Sequence, residues 1–142
     1  MQQQNYKNHA RLVPGYHGVT YLAIIALIIG SFVNLSHSSH DNLYSASLIC
    51  LASLVLALVC FYARSFALKA QDRAIRAEEN FRHYMLTNKL MDGRLNLSQV
   101  IALRFASDEE FPALAQKAAA EKLPAKEIKK QIKNWRGDYY RV

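Results

Sequence analysis

Hydrophobic residues are concentrated in two long runs in the first half of the chain, at residues 19–35 and 44–63. No charged side chain lies between Arg11 and Asp41, and none lies between Asp41 and Arg64. An α-helix rises about 1.5 Å per residue and the hydrocarbon core of a bilayer is about 30 Å thick, so each run is long enough to cross a membrane. A core helix of a soluble protein is usually shorter and carries a polar face. The pattern therefore predicts an all-α protein with a two-helix transmembrane hairpin.

The charges beside the two runs predict their orientation in the membrane. Lys7 and Arg11 precede the first run, whereas the external turn between the runs, residues 36–43, contains no Lys or Arg. Four basic residues follow the second run, namely Arg64, Lys69, Arg73 and Arg76. Because basic residues are enriched on the cytoplasmic side of membrane proteins, we expect both termini in the cytoplasm. Residues 1–18 are then a cytoplasmic segment at the membrane interface, and we expect the first helix to remain uncleaved because a second span follows it directly.

The second run continues without Pro or Gly to at least Leu86, which predicts one helix that extends into the cytoplasm over residues 64–90. Along this extension, mostly small residues recur at alternating spacings of four and three, the repeat of a coiled-coil contact. We call this helix-packing set the seam, and it comprises Ala63, Ala67, Ala70, Ala74, Ala77, Phe81 and Tyr84. The same register runs back through Cys60, Leu56, Ser53, Ile49 and Ala46. Away from the seam, Glu78 and Arg82 have the spacing of a helix ion pair. The helix that packs on the seam could belong to a second copy of the protein, to a partner protein, or to the chain's own C-terminal helices.

An Asp-Gly loop signal opens the C-terminal segment, residues 91–142, which contains three short helical patterns. Asn96 and Gln99 have the spacing of a capping box at the start of the first helix. Ser107 can cap the second helix, although a proline five residues later favours a later start, and Pro124 suits the first turn of the third. A module this small is marginal for independent folding, so we expect it to dock on another part of the chain.

The third pattern combines apolar and basic residues on one predicted helix. Its apolar side consists of Ile128, Ile132, Trp135 and Tyr139. Its basic residues are Lys126, Lys129, Lys130, Lys133 and Arg136. A basic amphipathic helix with Trp can bind an anionic lipid surface, and the alternative is that the apolar side packs in a core while the lysines are solvated. The net charge of +7 also invites a nucleic-acid partner. We do not expect one, because no turn and recognition-helix pattern stands out.

The sequence carries no recognisable catalytic motif. It has neither a glycine-rich phosphate loop nor a His-x-x-x-His pair, and neither apolar run contains Asp, Glu, Lys, Arg or His that could relay protons or sense voltage. His37, His40 and Asp41 are too few and too loosely held for a metal site. Cys50 and Cys60 lie about 15 Å apart along a helix, too far for a disulfide. We therefore predict a protein that is not an enzyme, with no catalytic, cofactor-binding or metal site.

Four stretches of the chain carry a resemblance to a known family, and they are QNYKNH at residues 4–9, QDRAIR at 71–76, IALRFASDEE at 101–110 and IKKQIKNWR at 128–136. The chain resembles a family of small, uncharacterised bacterial two-pass membrane proteins over nearly its whole length. The resemblance implies a location in the bacterial plasma (inner) membrane and a cytoplasmic helical tail. It implies no activity and no catalytic residues.

These observations favour an integral membrane scaffold or adaptor that forms oligomers. The alternative is a cytoplasmic tail that acts as a binding module for anionic lipid or nucleic acid, and the third hypothesis is an oligomeric pore. The expected partners are the lipid bilayer, a second copy of the chain, or an unknown cytosolic or membrane protein.

Overall fold

The structure is a computed structural model, and it describes residues 4–9 and 12–139. Over these residues the protein is all-α. Its five α-helices are α1 (Tyr21–His37), α2 (Leu43–Thr87), α3 (Leu97–Leu103), α4 (Phe111–Glu121) and α5 (Ala125–Gln131). A wide π-helical turn, Pro14–Thr20, leads into α1, and a short 3-10 turn, His40–Asn42, leads into α2.

The described residues form two compact units that share α2. The hairpin unit contains residues 12–67, and the tail unit contains residues 4–9 and 68–139. Helix α2 runs through 45 residues without interruption, as the absence of Pro and Gly predicts. It ends at Thr87 because Asn88 adopts a left-handed backbone conformation (φ 54°), which Asn tolerates better than most residues.

The two long helices are apolar enough to cross a membrane. The candidate spans are Pro14–His37 and His40–Thr87, whose most apolar stretches of 18 residues have mean hydropathies of 2.1 and 2.4. Only 6% and 17% of these stretches are buried, so most of their apolar side chains face outward. A core helix in a soluble protein would bury them instead. Length, composition and exposure are thus compatible with a membrane location.

In the hairpin unit, α1 and α2 meet through small side chains. Ser31 of α1 and Ser53 of α2 are 3% and 0% exposed, and their hydroxyl oxygens lie 3.1 Å apart. Each hydroxyl also lies within hydrogen-bond distance of a carbonyl oxygen in its own helix, at 2.8 and 2.7 Å. Both polar groups therefore have partners inside the hairpin, which an apolar surrounding requires.

The side of α2 that faces α1 differs in part from the side that the seam register predicts. Ala46, Cys50 and Ser53 are buried, whereas Ile49 and Leu56, which the register placed with Ser53, are 47% and 50% exposed. Small residues occupy the contact because they let the two backbones approach closely, and the large side chains turn outward.

The tail unit has its own hydrophobic core, which α3, α4 and α5 enclose. Its largest fully buried side chains are Phe105, Phe111, Leu103, Ile128 and Val100. The capping box predicted for α3 is present: the Gln99 N–H donates to Asn96 Oδ1 (3.0 Å), and the Asn96 N–H donates to Gln99 Oε1 (2.8 Å). Helix α4 begins only at Phe111, whose N–H donates to the backbone carbonyl of Ser107 (2.9 Å) rather than to its side chain. Pro124 is the residue before α5 and not part of its first turn.

The third predicted helix is shorter than its periodicity suggested. Helix α5 ends at Gln131, and the backbone then becomes extended. The Arg136 N–H donates to the Phe105 carbonyl (2.7 Å), and the Ser107 N–H donates to the Asn134 carbonyl (3.1 Å), around an antiparallel bridge between Ala106 and Trp135. In a longer α5, the Arg136 N–H and the Asn134 carbonyl would instead form hydrogen bonds within the helix. The prediction that Ile128, Ile132, Trp135 and Tyr139 lie on one side of a single amphipathic helix was therefore wrong.

Candidate interaction surface

The tail unit covers one face of the C-terminal part of α2. Ile75 and Glu79 lie on this face and are each only 6% exposed. Farther along, the His83 ring meets the Phe111 ring edge-on at 5.8 Å, and the Arg82 guanidinium lies 4.4 Å from the centre of the same ring. The tail unit therefore covers this face of α2, and Phe111 of its core contacts both His83 and Arg82.

Arg82 is the centre of the polar contacts on the covered face. Its guanidinium lies 3.0 Å from Glu79 Oε2 and 2.6 Å from Asp108 Oδ1, and it donates to the Ala106 carbonyl at 2.8 Å. The Arg82 side chain is 11% exposed and that of Glu79 is 8% exposed, so the pair is largely shielded from water. The sequence pattern paired Arg82 with Glu78. Glu79 takes that place because it points towards the tail core, whereas Glu78 is exposed.

The seam lies on the opposite side of α2. At 100° per residue, Ala77 and Phe81 lie about 120–160° around the helix from Ile75 and Glu79. Ala74 lies only about 100° from Ile75 and borders a cleft beside the residues that follow α5. The seam residues of the tail unit are all exposed, and they are Ala70, Ala74, Ala77, Phe81 and Tyr84. The remaining two seam residues belong to the hairpin unit, where Ala63 is exposed and Ala67 is half-buried. Within the tail unit, the C-terminal helices thus pack on the other side of α2 and not on the seam.

The end of the seam is strongly apolar. Phe81 and Tyr84 are 65% and 46% exposed, and the neighbouring Met85 is 65% exposed. Leu86 is also exposed but lies on the other side of α2, and Leu90 follows the end of the helix. Single exposed apolar residues are common, but a contiguous group of them indicates an interaction site.

The N-terminal residues 4–9 belong to the tail unit. Gln4 forms two hydrogen bonds with the backbone of Asp138: its amide nitrogen donates to the carbonyl (3.0 Å), and its amide oxygen accepts from the N–H (2.9 Å). The His9 ring lies 5.6 Å from the Phe105 ring and 5.7 Å from the Trp135 ring. We call residues 4–9 the N-terminal clasp.

Sequence reasoning placed residues 1–18 at the membrane interface and missed the clasp. A short polar stretch has no hydrophobic periodicity, so nothing local in it indicates a partner. The one available signal was that residues 4–9 and 128–136, at the two ends of the chain, both carry motifs of the resemblance. Arg11, which supports the predicted orientation, lies outside the described residues.

The five basic residues proposed to bind an anionic surface do not share one helix face. Lys126 and Lys133 are exposed. Lys129 Nζ lies 3.1 Å from His9 Nε2, and Lys130 Nζ donates to a Glu127 carboxylate oxygen at 2.8 Å. That carboxylate raises the pKa of Lys130. Arg136 follows the end of α5, and its guanidinium lies 3.8 Å from the carboxylate of Glu79.

A cleft of about 310 Å³ separates α2 from the residues that follow α5. Its lining contains acidic and basic side chains that pair with each other, including Arg104 with Asp138 (Nε to Oδ2, 3.2 Å). Arg104 also lies 4.6 Å from the centre of the Phe105 ring. The ion pair of Glu79 with Arg136 connects α2 to the C-terminal residues across this cleft.

The loop after α2 contains an exposed ion pair. Both the side chain and the backbone N–H of Arg94 donate hydrogen bonds to Asp92, at distances from 2.7 to 3.1 Å. These contacts lower the pKa of Asp92 from 3.8 to about 2, since they stabilise the ionised carboxylate. They fix the turn that joins α2 to α3.

The candidate metal and redox residues of the hairpin unit have structural contacts. His37 Nδ1 lies 2.9 Å from the Val33 carbonyl in its own helix. Cys50 and Cys60 are free thiols, and the Tyr16 hydroxyl donates to the Cys60 carbonyl at 2.7 Å. In the part of the chain that the structure describes, no group of three or more His, Cys, Asp and Glu side chains could hold a metal ion.

Comparison with known proteins gives one family. The family model of DUF6526, described as a family of unknown function, matches residues 1–142. No curated protein and no solved structure matches the chain.

Proposed function

Since the chain belongs to DUF6526, a family of unknown function, we propose its role from its own residues: an integral membrane scaffold or adaptor that forms oligomers through the seam of α2. In this role the protein has no enzymatic activity. It holds the tail unit at the cytoplasmic surface of the membrane and gathers several copies of it there.

The membrane part of the proposal rests on the apolar hairpin and its flanks. The two candidate spans cross the bacterial plasma membrane, with the turn between them outside and both termini in the cytoplasm. This orientation is supported by the absence of Lys and Arg from residues 36–43 and by the basic residues that follow residue 63. Tyr16 suits an interfacial position, since its ring lies 5.9 Å from the Arg64 guanidinium.

The single observation that supports the proposed oligomer is the exposure of the seam. The tail unit occupies the side of α2 that bears Ile75 and Glu79, so the chain's own C-terminal helices leave Ala77, Phe81 and Tyr84 accessible. The small side chains allow a second helix to approach, and the aromatic rings offer it a large apolar area.

The mass of the full-length protein in detergent tests this role. We expect a defined oligomer for the wild type by light scattering with the detergent contribution subtracted. A77E places a charge in the seam and should lower the mass to that of the monomer. A120E is the matched control, because it makes the same substitution at an exposed alanine of α4. A monomeric wild type, or an A77E variant with unchanged mass, would contradict the proposal.

The alternative functions receive less support. An anionic surface would bind best to a continuous basic helix, but α5 ends at Gln131, and both Lys129 and Lys130 have partners within the tail unit. A pore would need polar groups that face its lumen, whereas the hydroxyls of Ser31 and Ser53 bond within the hairpin.

A further inference from the structure

Two opposite charges flank the seam where a second copy of α2 would bring them together. With Ala74 at heptad position a, the seam occupies positions a and d. Arg73 then occupies position g, and Glu78 occupies the following position e, five residues later. Both side chains are exposed, and Glu78 also lines the edge of the cleft between α2 and the residues that follow α5.

The positions of these charges distinguish between the two directions of helix pairing. In a parallel, in-register pair, each g side chain faces the next e side chain of the other helix. Arg73 of one copy would therefore meet Glu78 of the other, and two-fold symmetry would repeat the contact. An antiparallel pair centred on Ala77 would instead bring the two Glu78 side chains together. The other e and g positions of residues 66–87 are uncharged, and they are Phe66, Gln71, Asn80, Met85 and Thr87.

We propose that two copies of the chain form a parallel, in-register coiled coil over residues 70–85 of α2, in which reciprocal contacts between Arg73 and Glu78 set the direction and the register. The inference rests on the proposed function, because copies inserted into one membrane with the same topology present α2 in parallel. The pairing also covers Phe81 and Tyr84, whose rings stand exposed in the single chain.

Charge exchange tests the reciprocal contact in the full-length protein. R73E and E78R each replace attraction by repulsion at two places in the dimer. Each should therefore raise the dissociation constant of the dimer about tenfold at low ionic strength. Dilution of the protein in detergent micelles measures this constant. The double variant R73E/E78R restores opposite charges and should return to within about threefold of the wild type. K117E is the control, since Lys117 is exposed on α4.

The double variant also guards against a folding defect. If E78R weakened association only by unfolding the tail unit, adding R73E would not restore it. Recovery in the double variant supports the proposed contact, and a double variant no better than its parents contradicts it.

Disulfide crosslinking tests the direction without changing any charge. In a chain that carries C50A and C60A, both A70C and Y84C should crosslink to the same position of another copy when membrane vesicles are oxidised with copper phenanthroline. K117C should not crosslink. If A70C crosslinks only when it is mixed with Y84C, the pairing is antiparallel: the inference then fails while the proposed oligomer stands. If A77E leaves the mass unchanged, the proposed function itself fails.

Discussion

Arg82 joins α2 to the loop before α4, and its removal is the most informative single change in the tail unit. Its guanidinium contacts Glu79, Asp108 and the ring of Phe111. R82A would leave the buried Glu79 carboxylate with the Arg136 guanidinium at 3.8 Å. Removing one partner of a shielded ion pair leaves the other charge buried without compensation. The contact with Asp108 contributes less, because that carboxylate is mostly exposed. We therefore expect R82A to lower the free energy of unfolding by about 2–4 kcal/mol.

The single tryptophan of the chain provides the measurement. Trp135 packs on Phe105 with ring centres 5.1 Å apart, so its emission reports unfolding of the tail core during urea titration of the full-length protein. K117A is the control, since Lys117 is exposed on α4, and its midpoint should stay close to that of the wild type. Equal midpoints for R82A and K117A would show that the buried network contributes little.

Asp92 should titrate at an unusually low pH. Its pKa falls from 3.8 to about 2 because Arg94 hydrogen-bonds to the ionised form. A carboxyl whose pKa is lowered by folding contributes stability above pH 3.8, and this contribution disappears as the pH falls towards 2. The carboxyl carbon shift of Asp92 in NMR should therefore have a midpoint near pH 2 in the wild type. In R94A the midpoint should rise towards 3.8, and a wild-type midpoint already near that value would exclude the interaction in solution.

Helices were predictable from sequence where local signals decide them. The continuity of α2 follows from a long stretch without Pro or Gly, and the start of α3 follows from the Asn96 and Gln99 capping box. The end of α5 was not predictable, because the apolar spacing continues beyond Gln131 to residue 139. Backbone pairing with residues 105–107 ends the helix, and a local pattern cannot reveal a partner so distant along the chain.

The two faces of α2 show the same limit. The seam was visible in the sequence because alanines and aromatic residues repeat with a heptad spacing. The covered face was not visible, since Glu79 and Arg82 have the composition of a solvated surface yet lie against the tail core. Burial of a charged pair depends on Asp108 and Phe111, which come from another element. The sequence could therefore identify the candidate contact surface but could not determine which side of the helix the chain itself uses.

The tail unit is discontinuous along the chain, because the hairpin unit is inserted between residues 9 and 68. The N-terminal clasp closes this arrangement, and His9 is the clasp residue in contact with the aromatic core. H9A should therefore expose Trp135 to solvent, which would shift its emission to longer wavelength and increase its quenching by acrylamide. H37A is the matched control, since His37 is an exposed histidine of the hairpin unit. If Trp135 emission and quenching in H9A equal those of H37A, the clasp does not shield the core, and the fold of the tail unit rests on residues 68–139 alone.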